Sequence, residues 1–200
     1  VLLADNYDPN LTSSAQDTCL LIIKTDEGIE GYGECDTSPW VAKAFIESPG
    51  THTMDQCVKD ILIGSDPLKI DDLWSKIYVG TAMTGRRGAG VNAISAVDMA
   101  LWDIKGNRAG MPVYQLLGGP VREKIPAYAS ALGYSLDPEL VQERAQLFVE
   151  QGYTATKWFF RDGPTDGKAG IERNMRLVRT LRESVGPDVD IMLDAWMSWD

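Results

Sequence analysis

The stretch from residue 125 to residue 194 alternates between two hydrophobic periods, and this alternation constrains the fold more than any other feature. Apolar runs at 125–132, 153–160 and 189–194 have the length and composition of buried strands. Between them lie two segments with apolar residues at helical spacing, which end at Gly152 and Gly186. Two successive βαβ units of this kind predict a parallel sheet or barrel in which the ends of neighbouring strands converge.

Side-chain alternation along these strands indicates which residues face away from the covering helices. On the third strand it directs Asp194 away from the helices, and on the second strand it places Lys157, Phe159 and Arg161 on the same inward side, opposite Trp158. Catalytic groups of barrels come from the C-terminal ends of the strands, so Lys157 and Asp194 are candidate site residues. The pattern alone leaves a simple ion pair equally open, and it leaves Asp194 open as a metal ligand, a base or a helix cap.

The first 120 residues have a different character and predict an α+β domain, with a seam near residue 120 that divides the chain into 1–120 and 121–200. Residues 1–16 are irregular, and the glycine-rich loop 80–90 carries the adjacent pair Arg86 and Arg87, for which a solvated surface role stays open. Asp98 and Asp103 lie within a long apolar helix, so each is expected to be paired or to cap a helix. The predicted elements are a β-hairpin of 18–25 and 29–35, helices over 40–46, 54–63, 70–78 and 91–108, and a short helix after Pro112.

Composition excludes several classes of function. A formal charge of −10 with no basic tract argues against a nucleic acid or an anionic membrane as a partner. The longest apolar run, 19–23, is far shorter than the roughly 20 residues of a membrane-spanning helix. Cys19, Cys35 and Cys57 show no metal-type or redox-type spacing, which favours packing roles in a reducing compartment and a cytoplasmic location.

Two consecutive segments carry a resemblance to a known family. Residues 91–106 read VNAISAVDMALWDIKG and residues 110–119 read GMPVYQLLGG, and together they resemble the helix and linker of the mandelate racemase branch of the enolase superfamily. The resemblance extends from the hairpin that ends in GYGE at 31–34 through all three strands. It implies an α+β capping domain followed by a modified (β/α)₇β barrel, which binds Mg²⁺ and abstracts the proton next to a substrate carboxylate.

The resemblance also implies roles for individual residues. Asp194 would be the first of three carboxylate ligands to Mg²⁺, and Lys157 a catalytic residue that contacts the anionic substrate together with Arg161. Many family members carry a second lysine as a base where this chain has Phe159, and an asparagine where it has Trp196. The sequence around these positions looks more like the acid-sugar dehydratases, such as rhamnonate dehydratase, which places Arg161 and Trp196 among the substrate-binding residues.

The predicted function is therefore a Mg²⁺-dependent dehydratase that converts a small sugar acid into a 2-keto-3-deoxy acid. In the acid-sugar dehydratases that the chain resembles, the base is a histidine on a later strand. His52 is the sole histidine here and lies in the cap region. We therefore expect these residues to belong to a longer polypeptide, and we expect a homo-oligomer. Two alternatives stay open: a cycloisomerase or other isomerase that uses the same enolate chemistry, and a homologue without turnover.

Overall fold

The computed structural model describes residues 17–85, 87–195 and 199, and it divides the chain into two compact units. One unit is Asp17–Glu123, and the other contains the described residues from Lys124 onward. The predicted seam at residue 120 lies beside this division. Within the described residues, no helix combines the length and the apolar character that crossing a membrane requires.

The first unit begins with the predicted β-hairpin. Strand β1 (Cys19–Lys24) pairs antiparallel with β2 (Glu30–Cys35), in a register that sets Cys19 opposite Cys35. Gly28 adopts a φ of 80° in the turn, where a side chain would be strained. Burial raises the pKa of the Cys35 thiol, and the neighbouring Cys19 adds to this effect. The two thiols face each other only because of the strand register, which the spacing of cysteines along the chain does not reveal.

Five helices follow the hairpin in the first unit, and one of them is shorter than predicted. Helix formation over 54–63 is confined to Val58–Leu62, because the preceding segment uses its side chains for other bonds. The hydroxyl groups of Thr51 and Thr84 both donate to the Asp55 carboxylate, and His52 Nδ1 accepts a hydrogen bond from the Met54 amide at 3.2 Å. The bonds of Thr51 and His52 are local and compete with helical ones, and Thr84 adds a partner distant in sequence. The helices are α1 (Pro39–Glu47), α2 (Val58–Leu62), α3 (Ile70–Gly80), α4 (Ala89–Ala109) and α5 (Val113–Leu116).

Helix α4 is the central element of the first unit, as its sequence predicts. Its buried side chains are mostly alanines and aliphatic residues, and strand β2 lies directly against it. A β-carbon at Gly31 would overlap the carbonyl oxygen of Ala100, and one at Gly33 would overlap that of Ala96. The strand and the helix therefore touch through their backbones. Glycine is the residue type that permits this approach.

The two aspartates of α4 differ in their surroundings. Asp103 Oδ2 accepts a hydrogen bond from the Tyr32 amide at 3.0 Å, so this carboxylate is paired as expected. Asp98 is half-buried, and among the described residues no hydrogen bond or ion pair engages its carboxylate, so a partner for it stays a prediction. Burial raises the pKa of Asp98, and the negative charge of Asp71 on α3 raises it further.

The second unit contains the predicted parallel sheet. Its strand order is β3 (Ala129–Ser130), β4 (Ala155–Phe159) and β5 (Asp190–Asp194), and the connections are α6 (Pro138–Glu150) and α7 (Gly167–Val185). Strand β3 is much shorter than the predicted 125–132. Strand β4 begins at Ala155 and pairs with β3 from Thr156 onward, so residues before 128 have no strand opposite them. Their apolar side chains are accordingly exposed, as Ile125 shows at 82%.

One face of this sheet and the two helices enclose the core of the second unit. Trp158 is fully buried, and its indole Nε1 donates a 2.7 Å hydrogen bond to the hydroxyl oxygen of buried Thr156. The predicted apolar stripe of α6 contains Leu140, Val141, Ala145 and Phe148, and it is confirmed at the last three, whereas Leu140 is exposed. On α7 the predicted apolar stripe is wrong at its first positions, because Ile171 and Met175 are exposed and Leu177 is buried instead. Ile191 and Leu193 on the apolar face of β5 pack against the same core, together with Val189 just before the strand.

Candidate functional site

The C-terminal ends of β4 and β5 bring Lys157 and Asp194 together. The two strands pair in a register that sets Phe159 opposite Asp194, and the Phe160 amide donates a 2.9 Å hydrogen bond to the Asp194 carbonyl. Because Trp158 and Leu193 face the helices, alternation places Lys157 and Asp194 on the opposite face of the sheet. The placement that the strand pattern predicts is therefore what the structure shows.

The two side chains form a loose ion pair. Lys157 Nζ lies 3.6 Å from Asp194 Oδ2, longer than the roughly 2.7–2.9 Å of a tight charge-assisted hydrogen bond. The Lys157 side chain is 22% exposed and that of Asp194 is 37% exposed, so both charged groups remain accessible. A partly exposed carboxylate therefore lies beside a partly exposed ammonium.

A third side chain contributes to this face, and sequence reasoning did not identify it. Tyr128 directly precedes β3, and its ring centroid lies 5.4 Å from Lys157 Nζ. A signal for it exists in the sequence, because apolar Ala129 and Ala131 alternate with Tyr128 and Ser130. The structure buries the two alanines, so Tyr128 and Ser130 point to the other face. The first strand was predicted too long, over 125–132, and this hid the alternation of faces around Tyr128.

Arg161, the third predicted site residue that the structure describes, has another location. Arg161 lines a crevice of about 150 Å³ between α6 and α7, together with Asp162 and Arg173, and the described residues that line it do not include Lys157 or Asp194. Its neighbour Asp162 accepts a 3.0 Å hydrogen bond from Arg173 Nε. Substrate binding by Arg161 stays a prediction.

Two further residues that the sequence singled out cannot be placed. Trp196, predicted to bind substrate, and Arg86 of the glycine-rich loop both lie outside the described residues.

Asp194 suits a magnesium ligand in its chemistry and position. Mg²⁺ prefers hard oxygen donors and keeps several of its waters, so an accessible carboxylate at a strand end is an appropriate ligand. In the part of the chain that the structure describes, no group of three or more His, Cys, Asp or Glu side chains could hold a metal ion. This part therefore supplies at most a portion of a coordination shell, to which Asp194 is the residue that fits.

Comparison with known protein families agrees with the fold. Residues 9–118 match the mandelate racemase/muconate lactonizing enzyme N-terminal domain, and residues 139–200 match the enolase C-terminal domain-like family. The chain belongs to the mandelate racemase/muconate lactonizing enzyme branch of the enolase superfamily. The resemblance stated from the sequence and the predicted fold class, an α+β capping domain followed by βα units of the superfamily's barrel, are thereby confirmed.

Three individual proteins are similar to this chain. The chain is 31% identical over 183 residues to an L-rhamnonate dehydratase of Saccharopolyspora erythraea, covering 92% of this chain and 42% of that protein. It is 41% identical over 148 residues to a D-galactonate dehydratase family member of Marinomonas sp., covering 74% and 34%. The crystal structure of the 3,6-anhydro-D-galactonate cycloisomerase from Zobellia galactanivorans is similar with a TM-score of 0.73 and 32% identity, covering 89% and 45%. The chain thus spans less than half the length of these relatives.

Proposed function

We propose that the protein to which this chain belongs is a Mg²⁺-dependent lyase that removes water from a sugar acid. The observation that carries the proposal is the accessible pair of Lys157 and Asp194 at neighbouring strand ends, 3.6 Å apart. The relatives named as rhamnonate and galactonate dehydratases support acid sugars as the substrate class. In the reaction, the α-proton and the hydroxyl group at C3 leave as water, and the resulting enol tautomerises to a 2-keto-3-deoxy acid.

Each residue of the pair has a distinct part in this proposal. Asp194 would hold Mg²⁺, which when bound supplies positive charge that stabilises the negative charge developing on the substrate carboxylate. Lys157 presents its ammonium to the same anion, and removing one such preorganised donor commonly costs roughly 3–4 kcal/mol of transition-state stabilisation. Arg161 and Trp196 remain proposed substrate contacts.

Phe159 favours elimination over racemisation. It follows Lys157 by two residues on β4 and is 2% exposed, and its ring can neither accept nor donate a proton. A racemase that works from both faces of the substrate needs a base on each, and β4 does not offer a second one. A reaction with one base and a leaving hydroxyl group is consistent with this strand.

Metal titration tests the role of Asp194. In the complete protein, Asp194→Asn is expected to weaken Mg²⁺ binding in calorimetry, because it removes a negative oxygen ligand. Asp190→Asn is the matched control, since Asp190 is an exposed aspartate at the other end of the same strand. Undiminished Mg²⁺ affinity together with full activity in Asp194→Asn would remove this residue from the site.

The reaction itself is tested on a panel of sugar acids. The complete enzyme is expected to release 2-keto-3-deoxy acids, and Lys157→Met is expected to lower kcat strongly while Lys157→Arg recovers part of it by keeping the charge. The likeness to a cycloisomerase makes isomerisation the second candidate, which α-proton exchange without keto-acid formation would indicate. A protein that binds Mg²⁺ but turns over no acid would be a homologue without catalysis.

The setting of the enzyme is also part of the proposal. The cysteine spacing supports a cytoplasmic enzyme, and the relatives support a small-molecule sugar acid as its partner. The charge of −10 argues against a nucleic acid or membrane partner. We further propose a homo-oligomer, which the mass of the complete protein in sedimentation would test.

A further inference from the structure

Among the described residues, the ammonium of Lys157 has two neighbours on the open face of the sheet. One is Asp194 Oδ2 at 3.6 Å, and the other is the ring of Tyr128, whose centroid lies 5.4 Å away. An ammonium within about 6 Å of a ring centroid is attracted by the negative face of the aromatic system. Lys157 therefore lies between a carboxylate and an aromatic ring.

The position of the ring is set by the backbone of the sheet. Ser130 pairs with Lys157, and the Ala131 amide donates a 2.8 Å hydrogen bond to the Lys157 carbonyl. Ala129 and Ala131 are buried on the core face, 6% and 0% exposed, which fixes Tyr128 on the same side as the lysine. Tyr128 itself is 45% exposed, so core packing does not account for a large aromatic residue at this position.

The carboxylate of Asp194 and the ring of Tyr128 differ in how strongly they attract the Lys157 ammonium once Asp194 acts as a metal ligand. A loose, partly exposed ion pair gives little positional restraint, because the lysine side chain is long and flexible. When the Asp194 carboxylate is occupied by a cation, the net attraction that it exerts on Lys157 falls, since like charges repel at this separation. The ring is neutral and keeps its attraction for the ammonium.

We propose that Tyr128 is a positioning residue of the site, whose ring holds the Lys157 ammonium beside Asp194 when Asp194 is engaged by a metal ion. The proposal rests on the proposed function for the role of Lys157, while the contact itself is observed in the structure. Tyr128 acts through Lys157 and need not touch the substrate. The ring face is the essential group, and the phenol oxygen is dispensable for this role.

Nuclear magnetic resonance of the complete protein tests the contact without reference to catalysis. Lysines are reductively methylated with a ¹³C label, which keeps their charge, and the Lys157 signal is assigned by its loss in Lys157→Arg. The ring current of Tyr128 should shift this signal upfield in the native protein and in Tyr128→Phe. In Tyr128→Leu it should move to the position of solvated lysines, and addition of MgCl₂ should keep it upfield only where the ring is present.

A matched control separates this effect from a general loss of an aromatic contact. Tyr134 also carries a cation over its ring, since the Arg144 guanidinium lies 4.3 Å from its centroid in the same unit. Tyr134→Leu should leave the Lys157 signal in place. A Lys157 signal that is the same in the native protein and in Tyr128→Leu, with and without MgCl₂, would overturn the proposal.

Kinetics then distinguish the positioning role from the proposed reaction. In Tyr128→Leu, kcat on the active sugar acid should fall about three- to thirtyfold with a smaller change in KM, and Tyr128→Phe should restore most of the loss. If kcat is unchanged in Tyr128→Leu although the signal has moved, the contact exists but does not position the lysine, and the proposal is overturned. If the native protein turns over no sugar acid, the proposed function fails, while the response of the Lys157 signal to MgCl₂ still decides whether the ring holds the ammonium.

Discussion

The hydrogen bond between Trp158 and Thr156 offers a sharp test of what stabilises the second unit. The indole donor and the hydroxyl acceptor are 2.7 Å apart, and the two residues are 0% and 1% exposed. Thr156→Val replaces the hydroxyl group by a methyl group of similar volume. The core stays filled, but the indole N–H of Trp158 loses its partner in a place that water does not reach.

The expected cost follows from that loss. A buried donor left without an acceptor costs roughly 1–3 kcal/mol, so we expect Thr156→Val to lower the free energy of unfolding by about 2 kcal/mol. Thr156→Ser keeps the oxygen and removes one buried methyl group, at a cost of about 1 kcal/mol. Valine should therefore be more damaging than serine, although it is the better match in volume.

Urea unfolding of the complete protein, followed by far-ultraviolet circular dichroism, measures both variants. A double-mutant cycle isolates the bond: in a Trp158→Phe background no indole N–H remains, and Thr156→Val should then cost little. Equal destabilisation by Thr156→Val in both backgrounds, or a valine variant as stable as the serine variant, would refute the reasoning.

Two further predictions concern the first unit. Gly33→Ala should lower the free energy of unfolding by about 3 kcal/mol or more, because the added β-carbon meets the backbone of α4. Gly28→Ala should cost about 1–2 kcal/mol, because its β-carbon meets nothing and only a positive φ is strained. Thermal unfolding compares the two variants, and an equal loss of stability would argue against the close contact. Asp98→Asn should raise stability at pH 7, because the ionised carboxylate suffers from burial and from the charge of Asp71. Folding raises the pKa of Asp98 above its ordinary value of 3.8, so the destabilisation by the ionised carboxylate is complete above the folded pKa and absent below 3.8. The stability gained by Asp98→Asn should therefore shrink as the pH is lowered toward 4. A gain in stability that does not depend on pH would contradict this.

Much of the fold follows from hydrophobic period alone. The alternation of strands and helices predicted the parallel sheet, and the two-residue period of β4 and β5 placed Lys157 and Asp194 on one face, because buried faces impose that period strongly. The helix predicted over 54–63 was too long, since one of the bonds of the Asp55 carboxylate comes from Thr84, which is distant in sequence. Tyr128 was missed because the apolar residues before it look like a strand but have no partner opposite them.

The contacts that align β4 with β5 are made by main-chain atoms, including the bond from the Phe160 amide to the Asp194 carbonyl. Every residue type except proline can make such bonds, so the frame of the site does not depend on which side chains occupy positions 157, 159 and 194. Side chains there can change while the strands stay aligned. The main-chain ladder therefore does not itself require a phenylalanine at position 159, and the constraint on that position comes from the packing of a side chain that is 2% exposed.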